Sequence, residues 1–382
     1  MEESEANDFF FQISEVSNPE LRDIGAKIVR KCGFLPLAIK LIATNFISQN
    51  KSVWRDTLHR LNKNDLHKNL QSDFNIPIED LTRYAWGLKL LNEVPTLGIA
   101  RDRTKTCVLN LKNANLLMDS DYSECVKMHD LVLVFVVAKV SKGDHPWLIN
   151  HNDVSNWSRA EMSESCRRIS LTCMGMSKFP GDFNYPNVSL LRLMNGDESL
   201  KFAEDFYEKM ENLQVMACIR YLPSAIGNLV KLKLLDLTGC IDLHIQEGVL
   251  KNLVKLEELY MRVANKKGIR FTDINYKELE ERSKNLSALE VEFFENNPQS
   301  KNMLYNKLES FKISMGRFLE GISGKNKHSS ENTLMFEVPT KNILLESGIN
   351  ELFSKTESPL CFLVYRNEIP LYDPGSKWSG EA

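Results

Sequence analysis

Several features are scarce or absent in this 382-residue sequence, and each absence removes a class of protein. No stretch approaches the roughly 18 to 20 apolar residues of a membrane helix. The closest, Leu131 to Val140, is too short and follows a polar segment. The start, MEESEANDFFFQ, is acidic with a three-residue apolar run, unlike the positive start and longer apolar stretch of a secretory signal. A cytoplasmic protein without a transmembrane segment is the expectation. Neither sign of charge dominates: 48 Lys and Arg stand against 51 Asp and Glu, a net charge of -3, so no overall basic field attracts nucleic acid or an anionic membrane. The eight cysteines are scattered, with no C-x-x-C pair and no histidine spacing suited to zinc, and read as reduced thiols; no metal is expected. The seven histidines have no partner at nucleophile or ligand spacing, and there is no nucleophile elbow. A G-x-x-x-x-G-K-[ST] string is also missing; the nearest approach, GISGKNKHSS from Gly321, has the wrong spacing. No apolar run ends in paired aspartates to hold magnesium. Enzymatic activity is therefore not expected.

What is present is enough apolar material, 43% of residues, for a sizeable core divided among two or three domains. Asn18 followed by Pro19 is a helix start, and Leu21, Ile24, Ile28 and Cys32 then fall on one face before Gly33. A second helix follows Pro36, and a third carries Trp54, Leu58 and Leu61, giving a small helical domain over 1–61. Residues 62–75 are polar and read as a loop or join. Pro77 opens an amphipathic segment with Leu81, Tyr84, Ala85 and Leu88 on its stripe, and another helix surrounds Val108 and Leu111. LLMDSDYSECVKMHD reads as two short strands around a turn, and the apolar segment Asp130 to Val140 as a helix. Together these make 62–150 a partial winged-helix-like domain.

After a linker over 151–165 the pattern changes. NLVKLKLLDL at Asn228 to Leu237 is followed, 24 residues later, by NLVKLEELYM at Asn252 to Met261. Weaker copies of the L-x-x-L-x-L template begin at Cys166, Val188, Leu213, Leu286 and Leu308, and LCFLVY near Leu360 fits one more. Each copy supplies one short strand whose leucines cannot be buried alone, so neighbours must stack. Residues 166–365 read as a leucine-rich-repeat solenoid, with a polar tail at 366–382. The fold class is α/β overall.

The order of two short motifs resembles a known family. CGFLPLAIKLIA, Cys32 to Ala43, is similar to the GLPLA motif of plant NB-ARC domains, carried here by Leu35, Pro36 and Leu37. VKMHDLV, Val126 to Val132, contains the MHD motif, Met128, His129 and Asp130, that closes those domains. Followed by leucine-rich repeats, they look like the coiled-coil class of plant NB-LRR disease-resistance proteins, and IPIEDLTRYAWGLKLL, RRISLTCMGMSKFP and VLKNLVKLEELYM resemble a resistance-gene-candidate subfamily. The resemblance implies an N-terminally truncated relative whose front part is an NB-ARC remnant. It implies a defence-response role with an ADP/ATP-dependent switch, in which Pro36 packs near the adenine and His129 approaches the phosphates. The same two residues have a plainer structural role available, Pro36 starting a helix and His129 capping the next one. Phe34 stands where the family has glycine, and the phosphate-binding loop is absent, so nucleotide affinity of this chain is expected to be weak or lost.

In such a solenoid the template leucines, Leu229, Leu232, Leu235, Leu237, Leu253, Leu256 and Leu259, form core. The concave strand face is left to Lys233, Asp236 and Thr238, and to Glu257, Glu258, Tyr260 and Arg262, where a protein ligand would meet them first. The partner classes implied are a pathogen effector or a guarded host protein, together with the NB and coiled-coil regions of a full-length relative. The alternative is a repeat-based binding or decoy module with a non-functional nucleotide site.

Overall fold

In a computed structural model of the chain the described residues are 1–44, 46–47, 49–62, 75–114, 116–128, 132, 147–150, 166–173, 185–194, 205–217, 222, 224–238, 243–262, 269–270, 272–293, 303–315, 331–338, 348–357 and 361–364. They form two compact units, one of Met1–Ile78 with Lys105–Asp144, the other of Glu79–Thr104 with His145–Ala382.

The first unit opens with four helices: α1 (Glu3–Ser14), α2 (Pro19–Lys31), α3 (Pro36–Thr44) and α4 (Lys51–Asn62). Asn18 caps α2 by accepting from the Glu20 N–H at 2.9 Å, and Pro19 supplies the preset φ of a first helical residue. The α1 helix is not among the expected elements. Its signal is the four-residue spacing of the buried Ala6, Phe10 and Ser14, and Glu2 and Glu5 form a capping box at its start. Phe10 meets Trp54 edge-on at 5.8 Å between ring centroids, while Phe46 lies 4.2 Å from Trp54; Ile28, Val29, Cys32 and Ile39 complete this core. Between α2 and α3 both Gly33 (φ 58°) and Phe34 (φ 57°) take the left-handed conformation. That region costs a side-chain-bearing residue roughly 1 to 2 kcal/mol, which is the physical reason a glycine would suit position 34.

A three-stranded sheet completes the description of this unit. The expected hairpin is present as β2 (Leu117–Asp119) and β3 (Cys125–Met128), and β1 (Ile76–Pro77) adds antiparallel to β3. The expected loop at 62–75 and the helix after Asp130 lie, but for Asn62, Asn75 and Val132, outside the described residues. Helices α5 (Ile78–Gly87) and α6 (Leu97–Asn113) run across the divisions at Ile78 and Thr104.

The second unit is built on parallel strands laid down in chain order. They are β4 (Trp147–Asn150), β5 (Arg168–Thr172), β6 (Leu190–Met194), β7 (Val215–Ala217), β8 (Leu234–Asp236), β10 (Glu258–Met261), β12 (Ala288–Phe293), β13 (Ser310–Met315), β14 (Thr333–Val338) and β15 (Cys361–Val364). The short β9 (Leu243–His244) and β11 (Ile269–Arg270) pair beside this row. The 24-residue displacement seen in the sequence becomes physical adjacency: Leu234 lies opposite Glu258, and Asp236 opposite Tyr260. One face of the sheet carries the template leucines into a continuous core with Leu229, Leu232, Leu235, Leu253, Leu256, Leu259 and Leu289. The sheet also includes β4, ahead of Cys166 where the template begins. Short helical segments return the chain between strands, among them α7 (Val249–Asn252) and α8 (Asp273–Ser283). Thr272 and Asn275 box the start of α8, and its Glu278 accepts from the Gly248 N–H.

Candidate functional site

Side chains alternate across a strand, so the residues between the template leucines line the opposite, front face of the sheet. The strand registers set them in two rows. One row reads Leu190, Val215, Leu234, Glu258, Ala288 and Ser310; the next reads Arg192, Ala217, Asp236, Tyr260, Glu290 and Lys312. The first row is apolar at four of its six positions. Such residues next to template leucines make the strands hydrophobic on both faces, which is how a sheet covered on both sides reads.

The cover is the chain's own segment, Glu79–Thr104. Leu97 and Ala100 of α6 are buried with Leu190, Val215, Leu234, Tyr260 and Ala288, and Tyr84, Trp86, Leu88, Leu91 and Val94 pack at the margin. The end of α5 comes so close that a Cβ on Gly87 would lie 2.8 Å from a Val215 methyl and 3.4 Å from Leu234. At the start of α6 the Leu97 N–H donates to Glu309 at 2.7 Å, a carboxylate placed on the positive end of a helix.

The α5 helix departs in part from the sequence expectation. The stripe of Leu81, Tyr84, Ala85 and Leu88 is only half-buried, whereas Glu79, Thr82, Arg83 and Gly87 are buried. The helix faces the sheet with its charged side because the sheet offers charged partners there. The Arg83 guanidinium lies 3.7 Å from the centre of the Tyr260 ring and pairs with Glu290. Glu290 is also reached by Arg262 at 2.8 Å and by Lys312 at 3.8 Å. Arg101 holds Glu79 at 2.7 Å and donates to the Ser310 hydroxyl at 2.6 Å, while the Tyr260 hydroxyl donates to Glu258.

This cluster shifts the ionisation of its members. Burial would raise Glu290, but Arg83, Arg262 and Lys312 outweigh it and hold the carboxyl at about 2. Burial pushes Glu258 up to about 8, since the Tyr260 hydrogen bond and Arg83 offset only part of the desolvation. Lys312 is pushed down to about 8, again mainly by burial, with Glu290 acting against it. A buried guanidinium stacked on a phenol and paired with an ionised carboxylate is a recognition geometry specific for arginine.

The seven front-face residues expected from the sequence divide accordingly. Asp236, Glu258 and Tyr260 are buried, Lys233 is half-buried and faces Glu257 at 3.6 Å, Thr238 donates its N–H to Asp236 at 2.9 Å, and Arg262 joins Glu290. The partner that first meets Tyr260 is thus within the same chain. Sequence reading missed Glu79, Arg83, Arg101, Glu290 and Lys312; the apolar front-face residues Leu190, Val215, Leu234 and Ala288 were the available signal that something covers them. Of the GLPLA-like and MHD positions, Leu35 and Pro36 are exposed at the start of α3, where Leu37 follows, and Met128 is half-buried at the end of β3. His129 and Asp130 lie outside the described residues. Among the described residues no group of three His, Cys, Asp or Glu could hold a metal ion, and no helix is long and apolar enough to cross a membrane.

The chain is 25% identical over 299 residues to the probable disease resistance protein At4g27220 of Arabidopsis thaliana, a match covering 68% of this chain and 32% of that protein. It is 24% identical to the probable disease resistance protein At1g15890 (63% and 33% covered) and 26% identical to At5g47250 (58% and 31%), both also from Arabidopsis thaliana. Its relatives are plant disease resistance proteins. The chain spans about a third of the length of the curated relatives it matches. No family model matches it.

Proposed function

We propose that this chain is the recognition-bearing part of a plant defence receptor of the NB-LRR kind, in which the parallel sheet is a leucine-rich-repeat scaffold for binding an effector or a guarded host protein. The observation that carries this reading is the repeat itself: two near-identical segments 24 residues apart occupy adjacent, in-register parallel strands, Leu234 beside Glu258 and Asp236 beside Tyr260. The front face of the sheet receives a protein segment, residues 79–104, through aromatic, arginine and carboxylate side chains, a kind of contact that suits protein recognition better than small-molecule chemistry. The front unit, with its helices and small hairpin, takes the place of the NB-ARC helical and winged-helix parts. There Pro36 and His129 are the positions that would contact ADP or ATP, in the cytoplasm and without catalysis by this chain.

A second reading, a repeat-based binding module with a non-functional nucleotide site, is favoured by one feature: within these 382 residues no loop of the G-x-x-x-x-G-K-[ST] type is available to grip phosphates. Calorimetric titration of the purified chain with ADP, beside a His129→Ala variant, decides between them. Binding that the substitution weakens supports a working switch element. A folded chain that takes up no ADP moves the assignment to the binding module.

A further inference from the structure

We propose that the front face of the sheet is a groove for an amphipathic, arginine-bearing helical segment, and that residues 79–104 are its resident occupant, so that a protein partner binding there must present the same chemistry. The proposal rests on the reading of the sheet as a protein-recognition surface and names the partner class.

Three observations define the ligand. The apolar row Leu190, Val215, Leu234 and Ala288 asks for apolar side chains, which the resident segment supplies from Leu97 and Ala100. Beside that row, Tyr260 presents its ring face and Glu290 its carboxylate to one guanidinium, which stacks and pairs at once. A lysine ammonium cannot reproduce that planar stacking with in-plane donation. The third feature is close approach: Gly87 lets the occupant's backbone reach Val215 and Leu234, so the groove takes a helix end that has a small residue near the arginine. Glu290 retains Arg262 and Lys312 when Arg83 leaves, so the vacated pocket keeps a partnered carboxylate. The face can therefore exchange one arginine donor for another.

A tethered occupant has an effective concentration of the order of millimolar, so a free competitor must face a weakened resident. The test uses the full chain carrying Arg83→Ala and Arg101→Ala, titrated with a fluorescent synthetic peptide of residues 79–104. We expect saturable binding, with loss of amide protection in the chain's own residues 79–104. The same peptide with its arginine at 83 replaced by lysine should bind at least tenfold more weakly. Equal binding of the two peptides overturns the arginine pocket while leaving the sheet a recognition surface. No binding, with strands β10 and β12 still protected, overturns the groove; neither result touches the nucleotide question, because the assay contains none. Should the double variant not fold, Arg83→Lys in the otherwise unaltered chain serves instead: at least tenfold faster exchange across 79–104 with unchanged strand protection is expected, and unchanged exchange contradicts the proposal.

Discussion

At the scale of single residues, Arg83 links three groups: the Tyr260 ring and the Glu290 carboxylate, neighbours on paired strands, and Glu79 on its own helix, 3.6 Å away. Breaking a buried ion pair from one side typically costs about 3 to 5 kcal/mol. Because Glu290 keeps Arg262 and Lys312, we expect Arg83→Met to fall near the lower end, about 3 kcal/mol, measured by urea denaturation of the second unit. Glu258 makes a pH prediction. Its carboxyl titrates at about 8 in the folded chain against an ordinary 4.5, so between those values the folded state holds a proton that the unfolded state has released. Its stabilising contribution is complete below about 4.5 and is lost as the pH rises through 8. Glu290, held at about 2, acts below this window, and Lys312, depressed to about 8, acts above it. Stability should thus decline from pH 5 to pH 8, and Glu258→Gln, which still accepts from Tyr260, should flatten the decline; equal slopes in the two proteins would contradict the assignment. Gly33, at φ 58° with open space around it, should lose about 1 kcal/mol on replacement by alanine, from backbone conformation alone.

At the scale of elements, local chemistry made some of the fold readable. The α2 helix was legible because Asn18, Pro19 and the Ile24, Ile28, Cys32 spacing all agree, and the β2–β3 hairpin because polar turn residues separate two short apolar runs. The α1 helix was not, since its acidic start hides the Ala6, Phe10, Ser14 stripe until Phe46 and Trp54 close over it. The aromatic core makes a prediction for that unit: Trp54→Ala should cost about 3 to 5 kcal/mol, read from thermal unfolding. The α5 stripe was legible only in part: Tyr84 and Leu88 pack at the margin of the apolar cluster, but periodicity ranks faces by hydrophobicity and cannot register that the sheet offers Glu290 and Tyr260 to Arg83. Only tertiary pairing decides such a face. The close approach of α5 follows the same logic. Gly87→Ala would press a methyl into Val215, and we expect about 1 to 3 kcal/mol of destabilisation by chemical denaturation, with little effect if the helix stood away from the sheet.

At the scale of the whole molecule, the repeat carried the reading furthest. The 24-residue displacement is matched by the adjacency of β8 and β10, and the expected core leucines Leu235, Leu237 and Leu259 are buried. The candidate site was half legible: Tyr260, Glu258 and Arg262 were found as front-face residues, while the segment covering them was not, because it lies more than 150 residues earlier and shares no pattern with the repeats. The front face of the sheet is covered by the chain's own residues 79–104, so under the recognition role proposed above, access to that face is the property on which partner binding would turn. Hydrogen exchange on the unmodified chain tests this most directly. Amides within α5 and the first turns of α6 should exchange as slowly as those of β10 and β12, because they share one buried cluster. Exchange of residues 79–104 at the rate of an unprotected helix, with the strands still protected, would contradict the account.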